Sequence, residues 1–171
     1  MNRKILTAAV GIFALGVVVT PAAAQMSKPV GLSIRAGVVW PTDSATRNSV
    51  GNTLFGAGLE FKVMDMQGMG MPGTNAHLSI SGDWFGKNSG YVIPVLLNFV
   101  GTQNEFYYSA GAGASFVHGG SGSSNNTNFG YQVGLGYNFS TGAVPVFVEA
   151  HYWGCSKSQF NAIGAYLGVR L

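Results

Sequence analysis

Residues 128–139 read Asn128-Phe129-Gly130-Tyr131-Gln132-Val133-Gly134-Leu135-Gly136-Tyr137-Asn138-Phe139. The alternation is strict. Phe129, Tyr131, Val133, Leu135, Tyr137 and Phe139 fall on one side, and Asn128, Gly130, Gln132, Gly134, Gly136 and Asn138 on the other. Successive side chains of a β-strand point to opposite faces. The stretch therefore predicts a strand with one wholly apolar face and one small or polar face. An amphipathic helix would instead repeat its apolar positions three and four residues apart.

The same period extends through the rest of the chain after Gln25. Strands are predicted over Gly31–Trp40, Leu54–Val63, Ala76–Trp84, Gly90–Val100, Glu105–Val117, Ala143–Trp153 and Asn161–Leu171. With the first segment that makes eight, each about 9–13 residues, the length of tilted transmembrane strands and longer than the usual soluble strand of about 5–6. The charged residues of these segments sit on the glycine-rich face: Arg35, Glu60, Lys62, Asp83, Glu105, Glu149 and Arg170. Eight strands close around an interior just wide enough for side chains to fill it. A face of glycine, serine and a few charges suits that lumen. The bulky face is then left to meet lipid, and closure removes the strand edges that a bilayer does not tolerate. Aromatic residues near the strand ends, including Trp40, Trp84, Tyr91, Phe106 and Phe139, fall where interfacial girdles belong. The fold expected is all-β, an eight-stranded antiparallel up-and-down transmembrane β-barrel.

Composition agrees. Of 171 residues only 9% are charged, 47% are hydrophobic and 26 are glycine, which excludes a solvated disordered chain. Asn2-Arg3-Lys4 is a basic start, Ile5–Val19 an apolar run, and Pro21 with Ala22-Ala23-Ala24 a cleavage site before Gln25. That is the pattern of a secretory signal peptide, so residues 1–24 are expected to be removed and 25–171 to form the barrel. Without Arg3 and Lys4, seven basic residues face six acidic ones, no surplus for binding nucleic acid. Cys155 is the single cysteine, so no intrachain disulfide forms.

Tyr91–Phe99 (YVIPVLLNF), Phe106–Phe116 (FYYSAGAGASF) and Phe129–Phe139, with the number and length of the strands, resemble the OmpA/OmpX-type family of small eight-stranded outer-membrane barrels. The resemblance covers essentially all of Met26–Leu171. It implies a bacterial outer-membrane location, contact with outer-membrane lipids and insertion by the barrel-assembly machinery. It also implies roles ranging over envelope integrity, adhesion and small-solute passage. Many such barrels end in an aromatic residue, and this chain ends in Leu171. Barrels of this kind keep short turns at the periplasmic end. Gly101–Asn104 and Ser140–Gly142 are expected there, with Pro41–Thr53, His118–Thr127 and Gly154–Phe160 outside. Met64–Asn75 is long for a periplasmic turn.

Three sets of residues are candidates for chemistry. Arg35, Glu60, Lys62, Glu149, His151 and Arg170 form a candidate lumen charge network. Arg35, Arg170, Glu60 and Glu149 in particular are expected to meet, because buried charges persist mainly when paired. The network reads as a plug, and as a gate if the pairs exchange. Met64, Met66, Met69 and Met71 supply soft thioethers of the kind that hold Cu(I), or form a connection that merely uses methionine. For catalysis the raw material is His118 with Ser121, and His151 with Glu149. The latter two are about 7 Å apart along a strand, too far for a close acid–base pair. Gly111-Ala112-Gly113 is strand packing, and no phosphate loop, dinucleotide fingerprint or zinc spacing occurs. The expectation is a monomeric, non-enzymatic barrel without a cofactor, structural or surface-interacting through its outer loops. The alternatives are a narrow pore for ions or small solutes, and a soluble lipocalin-like binder with its faces inverted.

Overall fold

A computed structural model describes residues 31–66, 74–87, 90–119, 125–139 and 145–171. Eight strands make one closed barrel: β1 (Leu32–Pro41), β2 (Leu54–Met66), β3 (Asn75–Lys87), β4 (Gly90–Gln103), β5 (Phe106–Gly119), β6 (Asn126–Phe139), β7 (Val146–Cys155) and β8 (Ala162–Arg170). Each pairs antiparallel with the next in sequence, and β1 closes on β8 with Ala36 opposite Leu167. Gly31 N–H donates to the Leu171 carbonyl and Leu171 N–H to that of Leu32, which fastens the seam.

The apolar face lies outside. Phe55 is 72% exposed, Leu135 69% and Phe106 66%, while Asp83 and Asn98 inside are fully buried. The inner face departs from the expected small and polar lining. At the end of the barrel away from the Gly31–Leu171 seam it carries an apolar layer containing Val39, Leu54, Phe85, Leu96 and Trp153. At the other end Val100, Tyr107 and Phe147 form a second. The polar groups are held between these layers. Leu96 and Val100 alternate with the outward Val95, Leu97 and Phe99 in a run that is apolar on both faces, so periodicity alone does not reveal them.

The connections also differ from expectation. Pro41–Thr53 contains a helix, α1 (Ser44–Val50), capped by the Asp43 side chain. β2 and β3 run on to Met66 and from Asn75, so the long connection shrinks to residues 67–74. A bulge between Lys62 and Met64 leaves Val63 and Met64 both exposed. Gln103 pairs with Phe106 across the two-residue turn Asn104-Glu105. Asn104 takes φ 55° there, a left-handed conformation that asparagine tolerates better than most residues. The expected leader (residues 1–24), Met69, Met71, Ser121 and the start of the expected seventh strand (Ala143, Val144) lie outside the described residues.

Candidate functional site: the lumen network and the mouth of the barrel

Backbone register builds the lumen network. Arg35 on β1 stands opposite Gly58 on β2, which stands opposite Asp83 on β3. Alternate strands are about 9.6 Å apart, twice the normal spacing, a gap the long guanidinium side chain can bridge only if nothing rises between. Gly58 leaves that space open. Arg35 Nε and Nη2 donate to the two Asp83 carboxylate oxygens at 2.8 and 2.7 Å, the bidentate geometry that suits a guanidinium.

Three further rows repeat the arrangement. Tyr107, Gly136 and Glu149 align across β5, β6 and β7, and the Tyr107 hydroxyl donates to Glu149 Oε2 at 2.7 Å. Asn98, Gly111 and Gln132 align across β4, β5 and β6. Gln132 Nε2 donates to Asn98 Oδ1 at 2.6 Å, and Asn98 Nδ2 donates to Ser81 Oγ at 2.9 Å. Ser109, Gly134 and His151 form the fourth row. A Cβ built on Gly134 would lie 2.6 Å from Ser109 Oγ and 2.8 Å from His151 Nε2.

Arg35 is the hub. Besides Asp83 it reaches Glu149 Oε1 at 3.0 Å and Glu60 Oε2 at 3.5 Å. Three carboxylates thus share one guanidinium inside the barrel, an arrangement whose desolvation cost is met only by close pairing. Of the predicted network, Arg35, Glu60, Glu149 and His151 come together. Asp83, the closest partner of Arg35, was not among its predicted members. It sits on the expected face, but nothing in the sequence shows which residue two strands away will be level with Arg35.

Three expectations are corrected. Lys62 pairs locally with Asp65 near the barrel end, with both side chains substantially exposed. Arg170 forms no ion pair with the carboxylates among the described contacts. Its guanidinium lies over the rings of Tyr107 and Phe147, 4.6 and 5.1 Å from their centroids. Glu149 and His151 do meet, with Oε2 and Nε2 3.2 Å apart, because a narrow lumen bends both side chains to the same centre. Met64 lies on the outer surface, and Met66 shares its side of β2. Among the described residues, no group of three or more His, Cys, Asp or Glu could hold a metal ion. Cys155 is buried, its thiol donating to the Lys157 carbonyl.

A second feature occupies the loop end. α1 leans over the barrel mouth. Thr46 Oγ1 donates to the Gln159 carbonyl at 2.7 Å, and Thr42 N–H to that of Asn161 at 2.9 Å. Thr46 N–H donates to Asp43 Oδ1 at 2.9 Å. This bond and its neighbours hold the Asp43 carboxyl below its usual range. Gly51 ends the helix at φ 107°, a conformation that favours glycine. Beneath the helix is a cavity of about 420 Å³ lined in part by Val50, Leu54, Phe85, Val92, Val117 and His118.

No family model matches this chain, and no curated protein is a significant match to it. The class that the geometry defines is a closed eight-stranded antiparallel barrel with an apolar exterior and a charged, side-chain-filled interior.

Proposed function

We propose that the chain is a transmembrane barrel of the bacterial outer membrane with its lumen plugged, serving a structural or surface-interaction role in envelope integrity or adhesion. The observation that carries this reading is the facing of the strands. Large hydrophobic side chains cover the outside, as with Phe55, Leu97, Phe129 and Leu135, while Arg35, Asp83, Asn98, Gln132 and His151 are almost wholly buried. Apolar coverage continuous over a barrel far exceeds the patches of a few hundred Å² that soluble monomers expose. A lipocalin-like binder would need the opposite facing. The buried network favours a plug over an open pore, because Arg35, Asp83, Asn98 and Gln132 fill the middle of the lumen and are at most 3% exposed.

The reading places no catalysis in the lumen. Ser109, His151 and Glu149 are neighbours, but each is at most 6% exposed, and a hydrolase nucleophile must meet its substrate. Refolding residues 25–171 in detergent, followed by recording in a planar bilayer, tests the proposal. Insertion without conductance is expected. Reproducible current steps would replace the plug with a pore, and solubility without detergent would refute the membrane reading.

A further inference from the structure

We propose that the cavity beneath α1 is a binding site for a small uncharged hydrocarbon. Among its inward-facing lining residues Val92, Val117 and Ala162 are small, and they leave space beside Leu54 and Phe85 of the upper apolar layer. The helix lies across the mouth above that space. Thr46 ties it to the β7–β8 connection through the Gln159 carbonyl. At its other end a Cβ on Gly90 of β4 would be 3.3 Å from Val50 Cγ1, so Val50 reaches the opposite rim. The space is thus walled by apolar side chains and roofed by α1. Its volume of about 420 Å³ falls in the range for ligand pockets, about 300–1,000 Å³. An apolar cavity of about 150 Å³ stays dry and binds benzene, so this one has room for two fused rings.

The polar groups of the lining decide the chemical class, because they are engaged with one another. The Thr46 hydroxyl donates to the Gln159 carbonyl and the Ser49 hydroxyl to the Thr46 carbonyl. Asn161 accepts from Cys155 N–H and donates to the Tyr152 hydroxyl. Among the described residues, Asp43 is the only Asp, Glu, Lys or Arg that lines the cavity. Its Oδ1 accepts from Thr46 N–H at the start of α1, which commits the carboxylate to the cap. No lysine or arginine waits inside for an acid, and the one carboxylate is already held by the helix. A polar or charged ligand group would give up its water here without gaining a partner. A hydrocarbon loses nothing of that kind and gains the burial of its surface. The inference rests on the cavity and does not require the chain to reside in a membrane.

The probe is naphthalene, titrated into the refolded mature chain in lipid nanodiscs, or in buffer should the chain prove soluble. Methyl NMR separates the cavity from the bilayer, because Leu54, Val92 and Val117 report the site while Val133 and Leu135 face outward. Saturable shifts in the first group, half complete at about 0.1 mM free probe, are expected. Shifts in the outward methyls alone, or none up to the solubility limit, would overturn the proposal. Two analogues with the same rings, 2-naphthoate and naphthylmethylammonium, should each bind at least about tenfold more weakly at equal free concentration. Binding of either as tight as that of naphthalene would refute the choice of an uncharged ligand. Val92→Trp fills the cavity from β4 and should abolish the naphthalene shifts. Val50→Trp fills it from α1, outside the strands, so it keeps the test open should the first variant fail to fold. Unaltered affinity in either folded variant would overturn the site.

Discussion

Substituting Gly58 with alanine adds one methyl group to β2 where Arg35 crosses to Asp83. That carbon would lie 1.9 Å from Asp83 Oδ1 and 2.7 Å from Arg35 Nε. Carbon–oxygen contacts settle at about 3.3 Å or more, so the carboxylate must retreat by about 1.4 Å. Neither of the hydrogen bonds of 2.8 and 2.7 Å survives that displacement unchanged. Breaking a buried ion pair costs about 3–5 kcal/mol. Alanine recovers about 0.5–1 kcal/mol over glycine in a strand interior. The net loss expected is about 2–4 kcal/mol. Gly82 supplies the control: it is in β3, next to Asp83, and a Cβ there meets nothing within 4 Å. Gly82→Ala should be neutral or slightly stabilising. Urea unfolding of both refolded variants, followed by tryptophan fluorescence, provides the comparison. Midpoints that agree between Gly58→Ala and Gly82→Ala would refute the claim that glycine makes room for the polar crossing.

Three other outcomes follow from the same contacts. Arg35→Met leaves three carboxylates without their shared cation and should cost about 3–5 kcal/mol, whereas Lys62→Gln, at an exposed pair, should cost under about 1 kcal/mol in the same unfolding assay. Because folding depresses the Asp43 pKa, its contribution to α1 is fully present above the unfolded carboxyl value of about 3.9. It should be lost as pH falls through the lower folded value, with amide shifts of Thr46 tracking the carboxyl in NMR and Asp43→Asn abolishing that titration. Cys155 is buried with its thiol bonded to Lys157, so a maleimide should label it slowly in the folded barrel and rapidly in urea. Equal rates would mean that the β7–β8 end is open.

The strands and their facing were readable because one physical rule, alternation, governs both, and each strand displays it without help from its neighbours. Tyr131 and Gln132 are assigned to opposite sides from the local sequence alone. The contacts inside were less readable because they depend on register. Asp83 and Arg35 are 48 residues apart, and only the pairing of three strands sets them level. Glu149 and His151 were judged too distant from their spacing along the strand, a measure that ignores how far side chains lean within a narrow lumen. The helix does have a local signal: Asp43 and Gly51 bracket a short segment as a cap and a stop. Phe85 was hidden for another reason, since it falls one residue beyond the expected strand Ala76–Trp84, where alternation gives it no facing; Trp153 ends its expected strand on the side of Glu149 and His151.

The glycine rows also bear on how the barrel finds its pairing. A slip of one residue between strands exchanges inside for outside and is opposed by hydrophobicity. A slip of two keeps every residue on its proper side, so hydrophobicity cannot oppose it. The rows can. Sliding β6 by two residues in one direction sets Gln132, in place of Gly134, between Ser109 and His151, crowding a place with no space for a side chain. The glycines thus act as alignment marks that distinguish the native pairing from its nearest competitor, a discrimination that apolar patterning cannot supply to a folding barrel.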